Sequence, residues 1–209
     1  MTTCELENVG IIPVIELNEV NNAEKLAKAL IGGGLNCAVV PLKVAKEIAE
    51  KHPKMLLNPD LKGLDCQKLI IPEELIKSED WAGITKFCRE SVDKMLGFTM
   101  VHVGLNCANP EEAEAVADEF DTAFGFTKKV GNSSVFAATY MEMMKKPFKG
   151  THGHIAIATT SVKCALYHLG LRGYEVDETS IKYNAEGVMN VAYLKHEFGG
   201  FAVHLVLKK

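Results

Sequence analysis

The sequence predicts an α+β protein in two parts, a small α/β unit followed by a longer segment built on an internal duplication. Three observations carry that expectation. The pattern His102-Val103-Gly104-Leu105 returns as His154-Ile155-Ala156-Ile157, each followed by a small polar break and a helical stretch containing alanine. Met141-Glu142-Met143-Met144-Lys145-Lys146 likewise matches Val203-His204-Leu205-Val206-Leu207-Lys208, an apolar strand with one polar residue inside it. Ahead of these, buried-strand and amphipathic-helix patterns alternate, which implies a parallel sheet with right-handed crossovers.

In the first 97 residues, Ile11-Ile12-Pro13-Val14-Ile15 reads as a buried strand. Asn22 to Ile31 reads as a helix behind a polar cap, stopped by Gly32-Gly33-Gly34. Cys37 to Val40 is a second strand, Val44 to Lys51 a helix before Pro53, and Met55-Leu56-Leu57 a third strand. After Pro72-Glu73-Glu74-Leu75, Ser78-Glu79-Asp80-Trp81 opens a helix that runs to about Leu96, and Gly97 is the expected boundary. The domains are therefore expected at 1-97 and 98-209.

In the second part, strand parity decides what the polar residues can do. Alternate side chains of a strand point to opposite faces. Val101, Val103 and Leu105 thus share one face, and Met100, His102 and Gly104 the other. Met141 and Met143 oppose Tyr140, Glu142 and Met144. Ile155 and Ile157 oppose His152, His154, Ala156 and Ala158. Phe201, Val203, Leu205 and Leu207 oppose Gly200, Ala202, His204 and Val206. Each strand then has a packing face and a face with one candidate ligand among mostly small or flexible residues. One such residue alone is ordinarily a solvated side chain. His102, Glu142, His154 and His204 in repeat-equivalent places make three imidazoles and a carboxylate, a donor set that suits zinc, nickel, manganese or iron(II).

At these residues the segment from about Phe98 to Lys209 resembles the vicinal oxygen chelate superfamily of glyoxalases, fosfomycin-resistance proteins and extradiol dioxygenases. The resemblance rests on the His-Val-Gly-like opening, the Glu at the end of the first repeat and the His-Ile-Ala-like opening of the second. It implies two βαβββ repeats closing into a cupped mixed sheet, with helices at Asn109 to Phe124 and Ser161 to Gly170. It also implies metal ligands on the first and last strands of each repeat, where His102, Glu142, His154 and His204 fall. The family's closing Gly-x-x-x-Glu is here Gly200-Phe201-Ala202-Val203-His204, so the glutamate that glyoxalase I uses as base is replaced by histidine.

The first unit resembles a different family, the 2-keto-3-deoxy-6-phosphogluconate and 4-hydroxy-2-oxoglutarate (KDPG/KHG) aldolases, which are (β/α)8 barrels. Ile11 to Ile15 with Ala23 to Leu30 looks like the first strand and helix, and Asp80-Trp81-Ala82-Gly83-Ile84-Thr85 through Val92 like the last helix. The middle of the barrel is missing, including the strand that carries the Schiff-base lysine. Val39-Val40-Pro41-Leu42-Lys43 stands where that family has Glu-Val-Thr-Leu-Arg, so its catalytic glutamate is absent too. An imine aldolase cannot work without its nucleophile.

Composition narrows the function classes. A chain of 209 residues, 47% hydrophobic, can bury a substantial core. A net charge of -4 and a pI near 6.0 offer no basic footprint for nucleic acid. No apolar run spans a bilayer and the opening residues lack signal-peptide character, so a cytoplasmic location is expected. The six cysteines, Cys4, Cys37, Cys66, Cys88, Cys107 and Cys164, include no CxxC pair and read as small buried residues rather than a disulfide framework or zinc site.

The leading expectation is a metal-dependent enzyme, of lyase, isomerase or dioxygenase type, acting on a small oxygen-rich metabolite such as a 2-keto acid. His152 is the candidate base, and Tyr140, Asn132, Tyr183 and Tyr193 are candidates for orienting substrate. The alternative is a non-catalytic metal- or metabolite-binding module, and a residual aldolase is the third and least supported. A truncated barrel leaves open sheet edges, so a homodimer is expected.

Overall fold

A computed structural model of the chain describes residues 3–17 and 20–208, with side chains from residue 6 onward. Residues 1–2, on which part of the leader-peptide reading falls, and the Cys4 side chain lie outside what is described. The chain divides into two compact units, Met1–Leu96 and Gly97–Lys209.

The first unit runs α1 (Thr3–Val9), β1 (Ile11–Val14), α2 (Ala23–Gly32), β2 (Cys37–Ala38), α3 (Leu42–Lys51), β3 (Leu56–Leu57), β4 (Gln67–Ile70), α4 (Glu73–Lys77) and α5 (Trp81–Leu96). Asn22 caps α2 by accepting a hydrogen bond from the Lys25 amide at 3.0 Å. Strands β1 and β4, and β2 and β3, pair in parallel, and a parallel bridge from Val14 to Val39 joins β1 to the β2 segment. The spatial order is thus β3, β2, β1, β4. Strand β4 is an element that the sequence reading did not name; Gln67-Lys68-Leu69-Ile70 is too polar to announce a buried strand, and it is largely exposed. Helix α5 packs on α2, where the Thr85 hydroxyl donates to the Ala29 carbonyl at 3.1 Å.

The second unit runs β5 (Thr99–Asn106), α6 (Pro110–Phe124), β6 (Lys128–Val130), β7 (Ser134–Ala137), β8 (Met141–Met144), then β9 (Gly153–Thr159), α7 (Val162–Leu171), β10 (Val176–Tyr183), β11 (Met189–Phe198) and β12 (Phe201–Leu207). All eight strands form one mixed sheet in the order β10-β11-β12-β9-β5-β8-β7-β6. The unit is therefore α+β with a single large mixed sheet. The side chains of Asn109 and Ser161 cap α6 and α7 by accepting from the Glu112 and Cys164 amides. Ala113 and Ala117 of α6 pack against Val135 and Ala137 of β7 and Met143 of β8, with Cys107 in the same cluster. Helix α7 lies on β11 and β12. The odd-numbered residues of β7 and β8 therefore meet the helix, and the even-numbered ones are left for the opposite face.

Parity fails within β5. A register shift between Met100 and His102 sets Met100 opposite Ile157, while His102 lies opposite Ala156. The bulge at Val101 thus takes Met100 off the row that strict alternation gave it. No helix among the described residues is long and apolar enough to cross a membrane.

Candidate metal centre

The four polar residues stand on β12, β9, β5 and β8, four consecutive strands at the middle of the sheet. Register places Ala202, His154, Gly104, Glu142 and Phe136 in one row across β12, β9, β5, β8 and β7. The neighbouring row holds Tyr193, His204, Ala156 and His102. Between β12 and β5 each histidine therefore has alanine or glycine as its lateral neighbour, which lets bulky rings lean together over the sheet. His154 and His204 are buried, and His102 and Glu142 nearly so.

One ring nitrogen each from His102, His154 and His204 lie within 4.8 Å of one another. Glu142 completes a tighter triangle. His102 Nε2 is 3.2 Å from His154 Nε2 and 3.2 Å from Glu142 Oε2, and His154 Nε2 is 3.1 Å from the same oxygen. Protons cannot satisfy all three edges. A carboxylate oxygen carries none, and each Nε2 carries one or none. With both imidazoles protonated at Nε2, the two N–H groups converge on one carboxylate oxygen and the edge between the imidazoles stays unbonded; with one, a nitrogen lone pair faces the carboxylate; with none, every edge is repulsive. A cation bound by all three atoms removes the conflict, and edges near 3 Å are what metal–ligand bonds of about 2.0–2.2 Å produce. His154 Nδ1 and both ring nitrogens of His204 are further buried polar atoms without a hydrogen-bond partner. The donor set fits a divalent metal.

Electrostatics keep Glu142 and His204 in their ligating forms. Burial alone would raise the Glu142 carboxyl, but contacts with His102 and His154 and a hydrogen bond from Ser134 outweigh it and hold the group well below the usual carboxylate range. Burial, then the neighbouring His154 and His102, lowers His204 to about 3, so its imidazole is neutral. Tyr193 stacks on His204 at 4.6 Å with 16° between the rings. Burial, followed by the Glu142 charge, pushes its phenol up to about 12. The Lys149 ammonium lies 5.2 Å from the Tyr193 ring centre and 2.6 Å from Asp177.

The other candidate residues are mostly elsewhere. His152 is exposed in the turn before β9, with its ring against Phe201 and over Gly200, and among the described residues it has no ring contact or hydrogen bond to the three histidines. Alternation does not carry back to it because Gly153, at φ +139, breaks the extended chain and its Cα faces the Gly104 carbonyl too closely for any Cβ. Tyr140 is exposed beside Phe126, Asn132 is exposed between β6 and β7, and Tyr183 is exposed at the end of β10. Of the substrate candidates, Tyr193 is the one in contact with the histidine cluster. Sequence reasoning missed Ser134, 5% exposed, whose hydroxyl donates to Glu142 Oε1 at 2.7 Å. The signal was available: Ser134-Val135-Phe136-Ala137 alternates, which places Ser134 and Phe136 on the face away from α6.

No protein-family model and no curated protein matches the chain. Among solved structures, it is similar to a Streptomyces coelicolor methylmalonyl-CoA epimerase in complex with 2-nitronate-propionyl-CoA, at 16% identity and a TM-score of 0.37, over 53% of this chain and 94% of that one. The Mycobacterium tuberculosis methylmalonyl-CoA epimerase aligns at 11% identity and 0.38, over 55% and 90%. A hypothetical protein from Bacillus halodurans aligns at 14% identity and 0.39, over 54% and 95%. Likeness this slight carries no argument about activity.

Proposed function

We propose that the chain is a divalent-metal-dependent enzyme of the vicinal oxygen chelate superfamily, with His102, Glu142, His154 and His204 as ligands and a small oxygen-rich metabolite, such as a 2-keto acid, as substrate. The observation that carries this reading is the triangle of His102, His154 and Glu142 donor atoms, each edge 3.1 to 3.2 Å, beside the unpartnered ring nitrogens of buried His204. When bound, the ion would supply a Lewis acid for two neighbouring oxygens of the substrate, the chemistry shared by lyases, isomerases and dioxygenases of this type. The protein's own part is to present Glu142 as a carboxylate and His204 as a neutral imidazole. Three imidazoles and one carboxylate would offset only one charge of a bound divalent ion, which favours an oxygen-rich, anionic ligand. Tyr193, flat against His204, fixes that ring's plane and offers a wall for the substrate. Lys149, held by Asp177 over Tyr193, places a cation on the same side and suits a substrate carboxylate.

The aldolase resemblance of the first unit gains no support from the comparisons and has no part in this mechanism. The test is turnover on a panel of 2-keto acids, hemithioacetals of 2-oxoaldehydes and catechols, using protein stripped with chelator and then reloaded with zinc, nickel, manganese or iron(II). Turnover that vanishes on stripping and returns on reloading supports the reading. Metal binding without turnover on any class would favour the non-catalytic binding module.

A further inference from the structure

We infer that Ser134 is the positioning residue that presents Glu142 to the metal, an assignment that rests on the metal reading above. Ser134 and Glu142 lie on adjacent antiparallel strands, but they are not direct partners: Ser134 pairs with Met144 and Glu142 with Phe136. The two side chains therefore meet diagonally on the face away from α6, within reach for a short polar residue and a long one. The Ser134 hydroxyl donates to Oε1 at 2.7 Å, while Oε2 of the same carboxylate faces His102 at 3.2 Å and His154 at 3.1 Å. One oxygen is thus tied to the sheet, and the other is aimed at the histidines. A hydroxyl has a single proton to give, and here it goes to Oε1, which fixes the carboxylate's rotation about its terminal bond.

Without that bond the carboxylate can turn, pair with either imidazole through either oxygen, or chelate with both oxygens. Among the described residues, Ser134 is the one hydrogen-bond partner of Glu142 Oε1. Ser134 also fills a buried place, so a structural role must be separated from a positioning one. Threonine and valine have the same shape, and threonine alone keeps the hydroxyl.

The experiment measures Zn(II) affinity by competition titration, and the absorption spectrum of the Co(II)-loaded protein, for wild type, Ser134→Ala, Ser134→Val and Ser134→Thr. Melting curves in chelator report folding independently of metal. Loss of a partner that orients a ligand weakens affinity by roughly 10- to 100-fold. The expected result is a loss of that size in Ser134→Ala and Ser134→Val with a changed Co(II) spectrum, and affinity restored to near wild type in Ser134→Thr. Equal affinity in Val and Thr, or a wild-type spectrum in Ala, would overturn the inference while leaving the metal reading intact. Absence of metal binding by the wild type would overturn both, so the two failures are distinguishable.

Discussion

His154 lies directly across from Gly104 in the pairing of β9 with β5, and its imidazole covers the glycine so closely that a Cβ there would overlap the ring atoms Cε1, Nδ1 and Nε2. A glycine at this position lets the ring lie down toward Glu142, the next residue along the row. Gly104→Ala should therefore push His154 off its place. Overpacking of this kind costs about 1–3 kcal/mol, to be read from melting curves in chelator. Metal affinity should fall together with stability, whereas the same exchange at exposed Gly173 should leave affinity unchanged.

The assignment of ligands predicts a pattern across the histidines. Glu142→Ala and His204→Ala should each weaken metal binding beyond the roughly 10- to 100-fold typical of an outer partner. His52→Ala, in the other unit, should leave it as it is. Isothermal titration of all three against wild type checks this. Full affinity in His204→Ala would remove His204 from the ligand set and leave the triangle of His102, His154 and Glu142 as the centre.

Much of this site was legible in the sequence because strands impose a period of two. His154, Ala156, Ala202 and His204 fall where alternation places them, and α6 and α7 begin directly after Asn109 and Ser161, where the two helices were expected to start. What escaped depends on departures from the period or on contacts between strands. The bulge at Val101 moves Met100, and the conformation of Gly153 separates His152 from the strand it precedes. Ser134 reaches Glu142 across a hairpin, a diagonal contact fixed by register rather than by spacing along the chain. Tyr140 and Tyr183 sit at strand ends, where the neighbouring turns decide exposure.

The first unit should be sensitive to alkali. Burial, aided at Cys37 by the nearby Cys66, pushes the Cys37 thiol up to about 12, and burial does the same to Cys88. In the unfolded chain a cysteine titrates near 8.5, roughly. The folded state thus disfavours the thiolate, so the stability these thiols contribute is fully present below about pH 8.5 and is lost as pH rises toward 12, at about 1.4 kcal/mol per pH unit for each. Melting temperatures should hold steady from pH 7 to 8 and decline above 9. The double variant Cys37→Ala, Cys88→Ala should flatten that decline; an unchanged slope would contradict the account.

The outer strands of the first unit lead to an expectation about assembly. Strand β4 stands at one edge of a short parallel sheet and leaves Ile70 48% exposed. An exposed apolar edge favours pairing with another chain, and a twofold dimer is the commonest arrangement. Light scattering at micromolar concentration should give twice the mass of the 22.9 kDa chain. A Lys substitution at Ile70 should shift the equilibrium toward monomer if that edge is used, and a strict wild-type monomer would rule the expectation out.

His102, Glu142, His154 and His204 are proposed to hold one divalent ion. Elemental analysis of protein purified without added metal, followed by titration of the stripped protein with Zn(II) and Co(II), tests it most directly. The expected result is one equivalent per chain, with binding abolished when His154 and Glu142 are both replaced by alanine in a variant that still folds. Failure of the stripped wild type to take up any divalent metal, or one equivalent bound equally well by that double variant, would contradict it.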